Sequence, residues 1–225
     1  MLDISAQVTA LAERAIALSE TRPRVLVALA GAPASGKSTM AAALLRRLRD
    51  QRVPAEMVSL DGYLLDSAVL EARGLRQRKG APETVDASGF IHLVWRLKLG
   101  GEVVAPVYDR ARDIAVAGAQ VVPLDCPVVI CEGNYLLFDE APWRELDQMW
   151  DLTARLEVPL PELRARLIQR WLDLGLSRAA ATRRAESNDV LNARRVMEKQ
   201  LPAHLILATR PEGSPALPPR PGQGR

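Results

Sequence analysis

Eight residues constrain this chain more than any others. Gly31-Ala-Pro-Ala-Ser-Gly-Lys-Ser38 fits the spacing G-x-x-x-x-G-K-[ST] and stands between two segments of different character. Before it, Val25-Leu-Val-Ala-Leu-Ala30 is the unbroken apolar run of a parallel strand buried on both faces. After it, the pattern predicts a helix from about Ser38 to Gln51. A strand, a glycine-rich turn and a helix in that order make a cradle for phosphate. Successive backbone N–H groups converge on one anion, and the helix N-terminus adds positive potential. In such a cradle Lys37 bridges the β- and γ-phosphates, Ser38 gives its hydroxyl to Mg²⁺ and Thr39 reaches an α-phosphate oxygen. The expected nucleotide site is therefore Gly31, Ala32, Pro33, Ala34, Ser35, Gly36, Lys37, Ser38 and Thr39, with ATP and Mg²⁺ as cofactors.

The remaining segments alternate. Ile4, Val8, Leu11, Ala15 and Leu18 recur at helical spacing, with Asp3 or Ser5 as the expected cap. Further strands are predicted at Glu56–Leu60, Glu102–Tyr108, Val128–Cys131, Thr153–Val158 and His204–Ala208. Helices are predicted from Ser88, as cap, to about Leu99, from Pro161 at the first helical position to Leu174, and over 177–200. Residues 63–82 mix a short helix with a basic loop, Arg76-Gln-Arg-Lys-Gly80. Strands alternating with helices predict an α/β chain, a three-layer P-loop fold with a mainly parallel five-stranded sheet flanked by helices. Residues 211–225 hold five of the 16 prolines and three glycines, a composition that buries no core, so a disordered tail is expected after a single domain of residues 1–210.

Composition removes several classes. Lys and Arg number 30 against 27 Asp and Glu, a net +3 that is too small to announce a nucleic-acid partner. No apolar run approaches the ~18–20 residues of a membrane span. The start, Met1-Leu-Asp-Ile-Ser, lacks a basic segment followed by an apolar one, so no signal peptide is read and a cytoplasmic protein is expected. Cys126 and Cys131, expected on opposite faces of one strand, read as buried free thiols. His92 and His204 have no neighbours at zinc spacing. The apolar N-terminal helix packs either on its own domain or on a second copy, which leaves a homodimer open.

Two carboxylates follow predicted strands, where open α/β sheets place ligands. Asp61, in Ser59-Leu-Asp-Gly-Tyr-Leu64, suits a general base for an attacking hydroxyl, although Asp-Gly is also a common turn. Glu132, in Cys131-Glu-Gly-Asn-Tyr-Leu136, suits Mg²⁺ or its water shell together with Ser38. Neither a guanine-reading N-K-x-D nor the transporter signature L-S-G-G-Q occurs.

This combination resembles the uridine kinase, pantothenate kinase and phosphoribulokinase superfamily of P-loop phosphotransferases. Asp61-Gly-Tyr-Leu is similar to the pantothenate kinase form of the catalytic-base segment, and Arg78-Lys-Gly-Ala-Pro-Glu-Thr-Val-Asp86 to the stretch that follows it. Pro106-Val-Tyr-Asp109 matches the acceptor-site segment P-x-Y-D, and Glu132-Gly the E-G motif. The likeness runs from about residue 24 to 208, and within the superfamily the chain most resembles bacterial kinases described as fructose-transport-associated. It departs from uridine kinases after the base aspartate and in the uracil contacts. It lacks most of the long C-terminal region of pantothenate kinases, and no phosphate grip of the phosphoribulokinase kind is identifiable.

The resemblance implies a mobile helical lid at about residues 160–195, with Arg166 and Arg170 closing over the transferring phosphate beside Lys37 and Asp61 as catalytic residues. These arginines are four apart on one helix face, so both can approach one triphosphate. Residues 162–199 carry nine basic and five acidic side chains, a net +4, so the rest of the chain sums to −1. The excess charge thus faces a nucleotide. Asp86, Tyr108, Arg110 and Asn134 are the candidate acceptor residues, polar groups suited to a hydroxyl-rich small molecule. Lys79 reads either as an exposed loop charge or as a second phosphate contact, and Asn188 as a lid pin, a nucleotide contact or a helix cap. The expected activity is transfer of the γ-phosphoryl of ATP to a hydroxyl of a small metabolite, a sugar such as fructose. A nucleoside or pantothenate kinase and a non-catalytic ATP-binding transport regulator are the alternatives.

Overall fold

A computed structural model describes residues 4–208. Its strands are β1 (Val25–Gly31), β2 (Ala55–Ser59), β3 (Val103–Asp109), β4 (Ile114–Val122), β5 (Val128–Gly133), β6 (Leu152–Glu157) and β7 (Leu205–Ala208). Its helices are α1 (Ser5–Ser19), α2 (Lys37–Asp50), α3 (Ser67–Ala72), α4 (Ala87–Leu99), α5 (Leu160–Asp173), α6 (Arg178–Arg184) and α7 (Val190–Glu198). Five strands form one sheet in the order β2-β5-β1-β6-β7, every neighbouring pair parallel. The expected five-stranded sheet is there, and it is parallel throughout.

All seven residues of β1 are buried, which accounts for its unbroken apolar run. Val25, Val27 and Leu29 face one layer with α1 and α2, while Leu26, Ala28 and Ala30 face the other with α4 and α5. Alternate residues of a strand point to opposite sides, so one apolar segment serves two cores. The apolar stripe of α1, Val8, Leu11, Ala12 and Ala15, is buried in the first of these layers by the chain's own sheet and α2.

Several expectations are corrected. The residue before α1 is Ile4, and Ser5 is already helical, so Ser5 is no side-chain cap. Asp86, not Ser88, caps α4: its carboxylate accepts the N–H of Gly89. Pro161 is the second residue of α5, not the first. Cys126 precedes β5, so the two cysteines do not share a strand, although both are free and buried. Burial pushes the Cys131 thiol up to about 12. His204 precedes β7 and its Nδ1 accepts the Thr153 N–H at 3.0 Å. The strand expected near 102–108 stays out of the main sheet and pairs antiparallel with β4, which the sequence reading left unassigned. The helix expected over 177–200 is α6, a π-helical turn at Ala185–Asp189 and α7. The expected tail at 211–225 lies outside the described residues. No helix among the described residues is long and apolar enough to cross a membrane.

Candidate active site

A fully parallel sheet brings the C-terminal ends of its strands to one edge, and the candidate residues gather there. At the end of β1 the glycine-rich loop turns into α2 through Gly36, at φ 94°, with Ala34 also left-handed at φ 63°. A left-handed alanine is uncommon, and such backbone persists where surrounding structure enforces it. The loop is closed inward: a Cβ on Gly31 would stand 2.6 Å from Ser35 Oγ.

Glu132 ends β5 opposite Leu29 of β1 and Ser59 of β2, and it is only 3% exposed. Buried carboxylates require partners. Ser38 donates to Glu132 Oε2 at 3.0 Å, and Ser59 donates to Oε1. Ser59 Oγ in turn accepts the Asp61 N–H at 3.2 Å. One hydrogen-bonded chain therefore links the phosphate loop, Glu132 and the backbone of Asp61. Ser59 was not foreseen; its role arises from strand pairing 73 residues apart, which leaves no local signal.

Asp61 lies in a 3₁₀ turn, Leu60–Tyr63, that follows β2. Its Oδ2 is 2.5 Å from Nη2 of Arg110 at the tip of the β3–β4 hairpin. A cleft of about 1310 Å³ joins these parts. Lys37, Ser38, Thr39, Asp61, Tyr108, Arg110, Asn134, Arg166 and Arg170 line it. That volume exceeds a typical single-ligand pocket of roughly 300–1,000 Å³, leaving room for a nucleotide and a second small molecule. Asp86 does not belong to this lining, because its carboxylate caps α4. Glu132 stands behind Ser38 in the wall.

Beyond the glycine-rich loop the cleft lining is polar. Asn134 Oδ1 is buried and without a hydrogen-bond partner among the described residues. The Tyr108 hydroxyl donates to Asp113 Oδ1, and burial together with that carboxylate raises its pKa, so it remains a donor. Lys79 is not an exposed loop charge. Its side chain is 9% exposed and its ammonium is 2.8 Å from the Asp113 carboxylate and 3.3 Å from Ser67 Oγ. Its carbonyl accepts from Asn188 Nδ2 at 3.0 Å. Asn188, fully buried in the π-helical turn, thus pins the basic loop.

Of the arginines expected near the phosphates, Arg166 donates from Nη1 to the carbonyls of Ala34 (3.1 Å) and Ser35 (3.3 Å) and pairs with Glu162 at 2.5 Å. Arg170, one turn on, lines the cleft with no carboxylate on it among the described residues. Arg164 pairs with Glu186 inside the segment, and Arg195 with Glu140 and Glu83 outside it, so part of the +4 is neutralised locally. Arg184, not singled out from the sequence, also lines the cleft, 4.9 Å over the Trp171 ring and bonded to the Gln77 carbonyl at 2.9 Å.

The oxygens of Ser38 and Glu132 suit a hard divalent cation. Among the described residues no cluster of three or more His, Cys, Asp or Glu forms a metal cage. Mg²⁺ takes one or two protein oxygens and fills its shell with phosphate and water, so the Ser38–Glu132 pair supplies enough donors to fit it.

Comparison with known proteins agrees with this geometry. The model of the phosphoribulokinase/uridine kinase family matches residues 26–173. A Schizosaccharomyces pombe protein named "putative uridine kinase" is 34% identical over 208 residues, covering 86% of this chain and 87% of that one. The pantothenate kinase of Leifsonia xyli is 41% identical over 116 residues, half of this chain but 36% of the relative. A crystal structure described as a "putative fructose transport system kinase" from Silicibacter sp. TM1040 is 51% identical, with a TM-score of 0.83 over 88% of this chain and 98% of that one. The chain belongs to the phosphoribulokinase/uridine kinase family and is a kinase.

Proposed function

We propose that this kinase moves the γ-phosphoryl group of ATP to a hydroxyl of a small sugar or sugar-derived metabolite. The observation that carries this reading is the meeting of Lys37, the Ser38–Glu132 pair and Asp61 at one cleft edge. The glycine-rich loop and Lys37 bind the triphosphate. Asp61 accepts the proton of the acceptor hydroxyl while its oxygen bonds to the γ-phosphorus; the bond from that phosphorus to the β–γ bridging oxygen breaks, and its electron pair leaves with ADP. Mg²⁺, when bound, draws charge from the phosphates, and Ser38 and Glu132 would hold it, with Ser59 fixing the rotamer of Glu132. Arg170 and Arg184 face the charge that develops, and Arg166 braces the loop carbonyls. We place the lid in residues 160–195, where α5 to α7 bring these arginines over the loop.

The sugar class draws on the name of the Silicibacter kinase and on the polar acceptor half, with Asn134 and Tyr108 as hydroxyl contacts. ADP release measured with fructose, uridine, pantothenate and other hydroxyl compounds tests the reading. Acceptor-dependent ADP is expected, and Asp61→Asn lowers kcat by about 10²- to 10⁴-fold while ATP still binds. ATP binding with no acceptor-stimulated turnover would instead make the protein a nucleotide-sensing regulator.

A further inference from the structure

The hairpin tip and the basic loop beside it hold four basic and two acidic groups besides Asp61, and their pairing leaves one arginine on the base alone. Asp109 is bonded to Arg112 at 2.7 Å. Asp113 is taken by Lys79 at 2.8 Å and by the Tyr108 hydroxyl, with Arg76 at 3.9 Å. Arg110 therefore has Asp61 as its one charged partner among the described residues. While that pair stands, Asp61 Oδ2 carries an arginine N–H where a substrate proton must arrive. The Arg110 side chain is 60% exposed, against 26% for Asp61, so most of its donor edge opens into the cleft. Ion pairs exposed to this degree are weak and exchange readily.

We propose that the phosphoryl acceptor is an anionic hydroxy compound, bearing a carboxylate or a phosphate monoester, and that Arg110 selects it by leaving Asp61 for that anion. This rests on the phosphotransfer reading above. A second anion in the cleft offers the guanidinium a two-pronged partner, and Asp61 is then free to take the hydroxyl proton. A neutral sugar brings no anion to draw the guanidinium away, so Arg110 stays on Asp61 and the base oxygen stays occupied. The wider lining agrees, with seven basic side chains against four acidic ones, more positive charge than the nucleotide half alone gathers. Asn134 Oδ1, buried and unpartnered in the same lining, is placed to accept from an acceptor hydroxyl.

The test uses matched compounds that differ in the anion: glycerol with glycerate and glucose with gluconate for the carboxylate, fructose with fructose 6-phosphate for the phosphate. In the wild type, one anionic set is expected to exceed its neutral counterparts in kcat/KM by about 10²-fold or more. In Arg110→Gln the KM for the preferred anion rises about 10- to 100-fold with a smaller change in kcat, the size of a lost charge-assisted contact, and Arg110→Lys recovers part of it. The thermal shift given by ATP with Mg²⁺ checks that the variant keeps its nucleotide half. Calorimetric binding of the preferred anion beside a non-hydrolysable ATP analogue gives a readout without turnover. Neutral compounds used as well as both anionic sets, or an unchanged KM ratio in Arg110→Gln, overturn the proposal and leave phosphotransfer standing. Arg110-dependent anion binding without any turnover sustains the charge selection and overturns the phosphotransfer reading; neither binding nor turnover overturns both.

Discussion

Two glycines decide where the site carboxylates stand. A Cβ on Gly62 would lie 2.6 Å from the Pro106 carbonyl oxygen, and one on Gly133 would lie 2.5 Å from Leu60 Cβ. In each case the obstacle is backbone or an atom fixed to it, so the glycine is required for space and not for an unusual φ. Gly62→Ala is expected to displace Asp61 and lower kcat by about 10- to 100-fold, since misplacing a reacting group by about 1 Å costs that much. Steady-state kinetics beside a melting curve separates this from unfolding, because overpacking alone costs about 1–3 kcal/mol. Glu132→Gln keeps the side-chain shape and removes its charge. It is expected to raise the Mg²⁺ concentration for half-maximal rate and lower kcat about 10- to 100-fold, checked by metal titration. Asp61 and Glu132 were legible because each ends an apolar run and precedes glycine. Ser59, Asp113 and Arg184 were not, since each acquires its role from residues 34 to 107 positions away.

At the scale of elements, the β3–β4 hairpin carries the proposed acceptor half. Its register shifts between Ala105 and Val107, at Pro106, which has no N–H to give the ladder. The shift brings the Pro106 carbonyl onto Gly62 and sets Tyr108 and Arg110 beyond it. Pro106-Val-Tyr-Asp109 was recognisable, yet β4 was not. Ile114–Val122 buries only Val122 and its apolar residues are interrupted by Gly118 at φ 67° and by Gln120, so no continuous buried run marks it, and pairing with β3 supplies its order. The tip is fastened by Asp113. Partial burial would raise its pKa, but hydrogen bonds from Lys79 and Tyr108 and the charges of Lys79 and Arg76 hold it below the ordinary carboxylate value. A depressed folded pKa means stabilisation that is complete above about pH 4, the unfolded value, and lost as pH falls through the folded one. The melting-temperature gap between wild type and Asp113→Asn is therefore expected to be flat near neutrality and to shrink below about pH 4.

Across the whole molecule, function and stability occupy opposite ends of β1. Arg24, just before the strand, is 6% exposed and donates to the carbonyls of Cys126 (3.0 Å), Leu97 (3.4 Å), Gly101 (3.0 Å), Pro123 (2.7 Å) and Leu124 (3.1 Å). It ties the end of α4 to the entry of β5, about 20 Å from the phosphate loop at ~3.3 Å per residue. Arg24→Ala leaves several of these carbonyls unpartnered and is expected to cost about 3–5 kcal/mol in denaturant unfolding, with kcat unchanged below the melting range. The active end has its own tie of a different kind. Lys79 is gripped from both sides, its carbonyl by Asn188 beneath the arginine helices and its ammonium by Asp113 on the hairpin. A compound that shifts the hairpin therefore tugs on the segment beneath the arginines, and binding linkage runs equally in both directions. The half-saturating concentration of each substrate is therefore expected to depend on how much of the other is present, and Lys79→Met to weaken that dependence, in initial rates measured over a grid of both concentrations.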